Sequence, residues 1–566
     1  MYLIEKIKTE LLLSLKTALG KEYQPTLEDL VEPKDPAWGD VSFPCFKLAQ
    51  GLKRNPAEIS RELAAKVAIR GYIKEVKAEG PYINFILDHD QVFLALHKQI
   101  QVLDSKYGTF APERRRVMLE YSGLNTHKPL HIGHLRNLVL GAALARLLRA
   151  EGVNLVVADF VNDLGLHVAE WLWAYKKFHQ GEKTPKDLGK FMSLVYTEGA
   201  AAYEQDPEAK KEILAVLMRL QENDRKIMGL WKKTRGWSLR DFRKIYKEIG
   251  AVFDTFYAES ALVEKRMKVV EELLKKGIAK ESEGATIVDL EDVGLGVLVI
   301  LRSDKTALYS TTDLALATQK FKDYKLDMSA VLTDARQKQH FAQVFETLKR
   351  AGFKQEMKHI PYEFVTLPEG AMSSRKGTVV LYEDLRDEVY REALEETTKR
   401  HPDWSRKKLE KTARALAFGA LKFDMLRQDP EKPITFEIKQ ALAFEGFSAP
   451  YLQYTTARIS GILRKAGKLK KLPKKIEIKE RSEEQLLILA LRYPEIVRRA
   501  AEELKPSLMA HYLFVLAQTF ADFYESVQVL RSVPEEKQLH LAVLSDLLVV
   551  MRNGLELLGI ETLEEM

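Results

Sequence analysis

The sequence predicts an α/β protein in which a central parallel-sheet domain lies between a small N-terminal α/β domain and a C-terminal bundle of helices. Three observations lead to this fold class. A strand–helix–strand pattern runs from residue 117 to residue 159, and strand patterns nearly disappear after residue 386. The chain has 566 residues, enough for about three to five domains. The changes in pattern predict domains at residues 1–110, 111–385 and 386–566.

The N-terminal part, residues 1–110, predicts a small α/β unit. Its first 20 residues mix acidic and basic side chains with apolar ones, which is typical of an amphipathic helix and not of a signal peptide. A second helix is predicted around residues 57–67, after a turn-rich segment. Residues 72–87 then predict a pair of strands.

The central part, residues 111–385, contains a βαβ unit. Strands predicted at 117–121 and 153–159 flank a helix from about residue 133 to residue 149. Such a unit predicts a parallel sheet of Rossmann type, with ligands beyond the carboxyl ends of its strands. We expect further strands of this domain at 296–301, 330–333 and 364–367, and a mostly helical insertion between residues 159 and 296.

The C-terminal part, residues 386–566, predicts a helical bundle. After Pro506, apolar residues recur at helical spacing, namely Leu513, Leu516, Ala517 and Phe520. The basic run 465–479 interrupts this pattern. A solvated linker and a phosphate-contacting loop are both open interpretations of that run.

Composition excludes several classes of protein. Lys and Arg number 88 against 81 Asp and Glu, and the net charge of +7 permits a polyanionic partner without requiring one. The single cysteine, Cys45, excludes an intrachain disulfide framework and zinc sites built from several cysteines, and it fits a reducing compartment. No charge-free apolar stretch is long enough to span a membrane. We therefore expect a cytoplasmic protein without a membrane partner.

The loop after the first strand of the βαβ unit carries the candidate chemistry. In YSGLNTHKPLHIGHLRN, residues 121–137, His131 and His134 stand on either side of Gly133 where the helix begins. Two imidazoles at a helix N-terminus can donate hydrogen bonds to phosphate, and a glycine there leaves room for a flat base or ribose. From spacing alone, a surface pair and part of a metal site remain alternatives, although no third metal ligand is evident locally. The loop matches neither the dinucleotide fingerprint nor the Walker A pattern.

The sequence resembles the class I aminoacyl-tRNA synthetases, whose HIGH signature is present as His131-Ile132-Gly133-His134. The flanking residues 125–130 and 135–137 narrow the resemblance to the arginyl-tRNA synthetases. The resemblance runs from EPKDPAWGDVSFPCFKLA near the N-terminus to the last residues. It includes Asp163-Leu164-Gly165, Tyr309 with Asp313, Gln337 with His340, and the segments FEGFSAPYLQYTTARI and GLELLGIETLEEM.

The resemblance implies an arginine–tRNA ligase. L-arginine would be activated by ATP with release of pyrophosphate, and the arginyl group would then pass to the 3'-terminal ribose of tRNA(Arg). His131 and His134 would stabilise the transferring phosphate. Mg²⁺ would arrive with ATP and not in a dedicated protein cage, so we expect no resident metal. We also expect a monomer.

The second half of the family's nucleotide site, the KMSK loop, corresponds to residues 370–377. Ala371 stands where the first lysine of that motif would be, and Ser374 stands where the last would be. Because negative charge builds up on the departing pyrophosphate, a cation is still needed. Lys128 is the first candidate and Lys376 the second, although Lys128 could also be a plain surface lysine. The resemblance assigns ATP binding to His131, Gly133, His134, Met372, Ser373 and Arg375.

An arginine pocket needs a carboxylate for the planar guanidinium together with neutral acceptors and an aromatic wall. By resemblance, Asp313 receives the guanidinium, Tyr309 lies beside it one helical turn away, and Gln337 closes the pocket. Glu120 and Asn125 resemble the residues that hold the α-amino and carboxylate groups. Helix capping by Asp313 and a satisfied strand-end carboxylate at Glu120 remain alternatives.

The resemblance places tRNA on the two outer domains. The C-terminal bundle is expected to bind the anticodon stem and loop through aromatic faces and a cation. A packing role for the aromatic residues stays open. The N-terminal domain is expected to contact the outer corner of the tRNA. The candidate tRNA-binding residues are Tyr451, Gln453, Tyr454 and Arg458.

Two other functions compete with this one. A class I synthetase for another amino acid is disfavoured because the chain hardly accommodates a large editing insertion, and because one cysteine makes a zinc-dependent enzyme a poor match. A non-catalytic tRNA-binding paralogue is suggested by Ala371. The intact signature at residues 131–134 and the complete arginine pocket oppose that second alternative.

Overall fold

The computed structural model describes residues 1–20, 23–183, 185, 187–368, 380–467, 469, 472 and 476–566. Its N-terminal region has the predicted α/β organisation, with a three-stranded antiparallel sheet whose third strand lies between the first and the second. The apolar face of the first helix is buried, as its amphipathic pattern predicts. The elements are α1 (Leu3–Leu19), β1 (Val41–Pro44), α2 (Phe46–Leu52), α3 (Pro56–Lys66), β2 (Ile73–Glu79), β3 (Tyr82–Leu87) and α4 (His89–Leu103).

The predicted βαβ unit is confirmed as β4 (Arg116–Glu120), α5 (Ile132–Ala150) and β5 (Asn154–Val161). Four insertion helices follow: α6 (Leu166–Phe178), α7 (Leu188–Gln205), α8 (Pro207–Gln221) and α9 (Arg225–Ile249). The chain continues through β6 (Thr255–Ala258), α10 (Val263–Lys275), β7 (Ala279–Ser282), β8 (Ala285–Leu290) and β9 (Gly296–Leu301). It then forms α11 (Tyr309–Tyr324), β10 (Met328–Asp334), α12 (Lys338–Arg350), β11 (Glu356–Tyr362) and the short β12 (Val365–Thr366).

The main sheet is parallel, with strand order β11-β10-β4-β5-β6. The chain leaves β4 toward β5 on one side and returns to β10 on the other. Ligands of open α/β sheets bind where the order reverses, beyond the carboxyl ends of the strands. The fold therefore predicts a ligand site between the ends of β4 and β10.

The strands predicted at 296–301, 330–333 and 364–367 are confirmed as β9, β10 and β12, but two of them lie outside the main sheet. Residues 296–301 form β9 of a separate antiparallel sheet, β7-β8-β9, although their apolar run is typical of a buried parallel strand. Val297 and Val299 are in fact exposed on this edge strand. Residues 365–366 pair with a C-terminal strand and not with the main sheet. The stretch from 159 to 296, predicted to be mostly helical, also contains β6, β7 and β8.

The C-terminal region is helical as predicted, and one two-residue strand, β13 (Ile434–Thr435), pairs with β12. Its apolar residues join one continuous core cluster with α1, α4 and α5. None of the described helices is both long and apolar enough to cross a membrane. The helices are α13 (Tyr382–Arg400), α14 (Arg406–Leu426), α15 (Ile438–Ala441), α16 (Ala449–Ala466), α17 (Arg481–Glu502), α18 (Pro506–Ser526) and α19 (Pro534–Leu557).

Candidate active site

His131 and His134 lie where the loop after β4 enters helix α5. His131 is the N-cap residue of this helix, and its Nδ1 accepts a hydrogen bond from the Gly133 backbone N–H at 3.1 Å. His134 Nδ1 in turn accepts from the His131 backbone N–H at 3.2 Å. Because both Nδ1 atoms accept, the neutral imidazoles carry their proton on Nε2. The loop therefore presents two N–H donors beside the start of a helix.

Both imidazoles are uncharged at neutral pH. Burial lowers the pKa of His131 to about 4, and it lowers the pKa of His134 well below its ordinary value. The charge of Lys128 adds to both shifts. The ring centroids of the two histidines are 3.8 Å apart. A Cβ on Gly133 would lie 2.9 Å from Cε1 of His131, so the glycine makes room for this ring arrangement.

The chain that follows the KMSK-like segment is attached to the same loop. The Tyr382 backbone N–H donates to the Leu130 carbonyl at 2.9 Å, and the Ile132 N–H donates to the Val380 carbonyl at 3.3 Å. These bonds place Val380 and Tyr382, at the start of the next described part of the chain, beside the HIGH signature. The predicted site residues Met372, Ser373, Arg375 and Lys376 lie outside the described residues.

Two cations act on His131. Lys128 is half-buried, with its Nζ 5.5 Å from the ring centroid of Tyr196 on α7. Burial lowers the pKa of Lys128, and the carboxylate of Glu170 on α6 opposes that shift. Arg336, at the carboxyl end of β10, is the second cation whose charge lowers the pKa of His131. Its guanidinium is bound to Asp334 through two hydrogen bonds of 2.8 Å.

Sequence reasoning missed Arg336, Tyr196 and Glu170. A signal existed for Arg336, because it directly precedes Gln337 beyond a predicted strand, where ligands of a parallel sheet bind. Tyr196 and Glu170 lie in the insertion, and no local pattern connects them with Lys128.

The predicted arginine-binding residues begin with Tyr309 and Asp313 in the first turns of α11. Tyr309 is 67% exposed, and Asp313 is half-buried. Asp313 Oδ2 lies 2.6 Å from Nε2 of His340 in the first turn of α12. This pair makes Asp313 a carboxylate with a partner, and not a helix cap.

The second predicted carboxylate, Glu120, ends strand β4 and is buried. It forms an ion pair with Lys320 on α11, which is itself only 2% exposed. Glu120, Asp313 and Lys320 line one small cavity of about 20 Å³, together with Phe341. A cavity of that size holds about one water molecule. The fold thus brings the two carboxylates together, each with a basic partner that sequence reasoning missed.

Asn125 and Gln337, the two other predicted residues, are not among the residues that line this cavity. Asn125 is half-buried and pairs through its backbone with Asn162 at the end of β5. Gln337 is exposed and immediately precedes α12. Both residues lie beyond the carboxyl ends of sheet strands, in the region where the fold predicts a ligand.

The predicted tRNA-binding residues divide into two groups. Tyr451, Tyr454 and Arg458 line a groove of about 540 Å³ between α16 and α18. The Arg458 guanidinium lies 3.9 Å from the ring centroid of Tyr524 and donates to the Tyr454 hydroxyl at 3.0 Å. Gln453 is fully buried and donates to the carbonyls of Ala415 and Glu561. Its prediction as an RNA contact was wrong, because alternate faces of one helix have opposite surroundings.

Two other residues, His127 beside the signature and Cys45 in the N-terminal region, are buried and serve the fold. His127 is fully buried, hydrogen-bonded to Thr126 and Thr234, and its pKa is lowered well below the ordinary value by burial. Cys45 is also buried, which raises its thiol pKa to about 12. Within the described ranges, no group of three or more His, Cys, Asp or Glu side chains is placed to hold a metal ion.

Comparison with known proteins gives matches along the whole chain. A class I tRNA synthetase (R) catalytic domain model matches residues 97–437, a DALR anticodon binding domain model matches 452–566, and an arginyl tRNA synthetase N terminal domain model matches 5–87. The chain is 36% identical over 580 residues to an arginine–tRNA ligase of Bdellovibrio bacteriovorus, covering 98% of each. It is 35% identical over 526 residues to one of Treponema denticola, covering 89% of each. The structure of Thermus thermophilus arginyl-tRNA synthetase superposes with a TM-score of 0.85 at 27% identity, covering 100% of both chains.

Proposed function

The chain belongs to the class I arginyl-tRNA synthetases, and from this premise we propose how its residues attach arginine to tRNA. In the first step, a carboxylate oxygen of arginine attacks the α-phosphate of ATP. A mixed anhydride forms, and the bond to pyrophosphate breaks. In the second step, a terminal ribose hydroxyl of tRNA attacks the arginyl carbonyl and AMP leaves. No covalent enzyme intermediate is required.

His131 and His134 stabilise the phosphate on which the reaction takes place. The observation that carries this proposal is the pair of hydrogen bonds to the two Nδ1 atoms, which leaves an Nε2–H donor on each ring. The donors sit at the start of α5, where backbone N–H groups and the helix dipole also favour an anion. Catalysis then consists mainly of positioning and charge stabilisation, as is general for phosphoryl and nucleotidyl transfer.

Lys128 supplies the cation that Ala371 does not. It is close enough to His131 and His134 to affect the pKa of both rings. Its aliphatic stem is partly buried and its ammonium faces the Tyr196 ring, so its position is restricted before ATP binds. Lys376 is the second candidate, and Arg336 is an additional cation at the same end of the sheet.

Mg²⁺ reaches this site together with ATP. The described groups around His131 are imidazoles and cations, whereas Mg²⁺ prefers carboxylate, phosphate and water oxygens. These residues fit the triphosphate and do not fit a bare divalent ion. When bound, Mg²⁺ neutralises charge on the phosphates, and the side chains of this chain hold the nucleotide in place.

Arginine binds between α11 and α12. Asp313 receives the guanidinium, with Tyr309 as the aromatic neighbour and Gln337 closing the rim. Glu120, which is paired with Lys320, and Asn125 orient the α-amino and carboxylate groups. Asp313 and Glu120 lie close together, since both line one small cavity, and this closeness supports their assignment to a single substrate.

The outer domains bind tRNA. The groove between α16 and α18 offers aromatic faces at Tyr451 and Tyr454 and the Arg458 guanidinium, which suit unpaired bases and phosphate. The N-terminal domain, residues 1–110, contacts the outer corner of the tRNA. Because a single chain contributes all of these groups, we propose that the enzyme acts as a monomer, in the cytoplasm where tRNA is used.

Charging of total tRNA by the purified full chain tests the function. Each of the twenty amino acids is offered singly with ATP and Mg²⁺, and we expect arginine alone to be attached. Absence of charging by any amino acid, with tRNA binding retained, would instead identify an RNA-binding paralogue. A His134→Ala variant separates the two cases further, since only an enzyme loses turnover while keeping RNA affinity.

A further inference from the structure

His340 is the basic partner of Asp313, the guanidinium-binding carboxylate, and the proposed function gives His340 no role. His340 Nε2 lies 2.6 Å from Asp313 Oδ2, and the two side chains are 27% and 21% exposed. A carboxylate can accept several hydrogen bonds, so Oδ1 stays able to accept from a guanidinium while Oδ2 is held. The contact therefore fixes the orientation of the Asp313 carboxylate and leaves Oδ1 free to bind the substrate.

The surroundings of His340 hold its ring against this carboxylate. Its centroid lies 5.3 Å from that of Phe341, edge to face, and Phe341 stacks on His359 at 5.0 Å. His359 is in turn hydrogen-bonded to Thr333 Oγ1 at 2.8 Å. A chain of packed rings thus connects the carboxylate on α11 to strands β10 and β11. Such packing restricts the rotamers of His340 and, through it, those of Asp313.

We propose that His340 is the positioning residue for the guanidinium-binding carboxylate. This inference rests on the proposed arginine site. The Nε2–H of His340 holds Asp313 Oδ2, and the packed rings beside it fix the orientation in which Oδ1 meets the guanidinium. His340 acts on arginine through Asp313, so its loss should weaken arginine binding and leave ATP binding unchanged.

Calorimetric titration of the full chain with L-arginine tests the positioning role. A His340→Gln variant keeps an N–H donor for Asp313 Oδ2, so it should bind arginine within about threefold of the original at pH 8. Arginine binding in His340→Gln that is as weak as in a variant without any donor overturns the proposal.

Two further variants separate positioning from simple loss of structure. His340→Leu removes the donor, and we expect about tenfold weaker arginine binding at pH 8, the effect of one hydrogen bond to a charged group. The KM for ATP should not change, and thermal unfolding should show that the fold is retained. His359→Gln is the matched control, since it removes a neighbouring imidazole that does not touch Asp313. If His359→Gln weakens arginine binding as much as His340→Leu does, the assignment to His340 is wrong.

An Asp313→Asn variant distinguishes failure of this inference from failure of the proposed site. Unchanged arginine binding in Asp313→Asn overturns the guanidinium site itself. Loss of binding in Asp313→Asn, together with a His340→Leu variant that binds arginine normally, overturns only the positioning role of His340.

Discussion

The nucleotide end and the arginine end of the proposed active site carry opposite arrangements of charge. At the nucleotide end, His131 and His134 are neutral donors whose Nδ1 atoms are occupied by backbone N–H groups. At the arginine end, the carboxylates Asp313 and Glu120 each have a basic partner, His340 and Lys320. The two histidines of the first end are donors without charge, whereas both carboxylates of the second end already have partners.

The difference follows from the cost of an unpaired ion. Removing an ion from water costs on the order of several kcal/mol even after relaxation, so an empty site tolerates neutral donors better than isolated charges. A phosphate can be bound by neutral N–H groups, and these need no partner beforehand. A guanidinium requires an ionised carboxylate, and a carboxylate in such a site needs a partner before the substrate binds. Nucleotide binding thus brings charge to two neutral donors, whereas arginine binding brings a cation to carboxylates that already have partners.

The largest expected effect is the loss of a neutral donor at the nucleotide end. We expect His134→Ala to lower the kcat of arginine-dependent pyrophosphate exchange by about 10²–10³-fold, the usual effect of removing one transition-state donor. The assay contains tRNA and saturating ATP. His134→Asn is the matched control, because its side chain can still accept from the His131 N–H but lacks the distal donor. Recovery of activity in His134→Asn would show that the histidine only caps the helix.

The arginine end is expected to show the next largest effect. Asp313→Asn removes the charge and keeps the shape, so kcat/KM for arginine should fall about 100-fold, or about 2.7 kcal/mol, within the range of hydrogen bonds between charged groups. The KM for ATP should stay the same. Citrulline, a neutral analogue of arginine, serves as competitor. Its inhibition constant should change less than the arginine KM does, and an equal change in both would argue against a charge contact.

The loss of Lys128 should have a smaller effect, because other cations remain nearby. Lys128→Met keeps the apolar stem and removes the ammonium, and we expect kcat for pyrophosphate exchange to fall about tenfold through lost charge stabilisation. Tyr196→Phe keeps the ring under the ammonium and should be close to the original enzyme. Tyr196→Leu removes the ring, and about a threefold loss is expected from a partly exposed cation–π contact. Equal activity of Lys128→Met and the original would transfer the role to Lys376 or Arg336.

The sequence predicts the nucleotide end better than the arginine end for a physical reason. His131, Gly133 and His134 form one local motif, and their hydrogen bonds join residues at most three positions apart. The partners of the carboxylates are set by tertiary packing instead. Lys320 stands seven residues after Asp313, two turns along the same helix face, which is a usable signal. His340 comes from the next helix, and only the fold brings it to Asp313.

The same distinction explains the sheet. The βαβ unit was predictable because β4, α5 and β5 follow one another and bury clear apolar patterns. The edge strands β6 and β11 were missed, since β6 has four residues of which none is buried, and β11 contains Lys358 and Pro361. Such residues are characteristic of edges and give a weak strand pattern. The apolar β9 gives a strong pattern, but that pattern does not specify which sheet the strand joins.

The smallest effect expected is that of pH on the nucleotide end. The pKa of His131 is lowered to about 4, and that of His134 is lowered well below its ordinary value. Both rings therefore stay neutral from pH 6.5 to pH 8, so they cannot make the KM for ATP depend on pH. Glu170, which faces Lys128, has its pKa raised to about 6 by burial, so its negative charge is lost only as pH falls through 6. With Mg²⁺ in excess, the KM for ATP should change less than about twofold across this range, because a titration a half unit or more away leaves most of the group in one form.

A Glu170→Gln variant should remove whatever change in the KM for ATP remains. A KM for ATP that rises steeply toward pH 6.5 in both proteins would mean that the histidines titrate in the working range. The nucleotide end would then resemble the arginine end, and the contrast between neutral donors and paired charges would not hold.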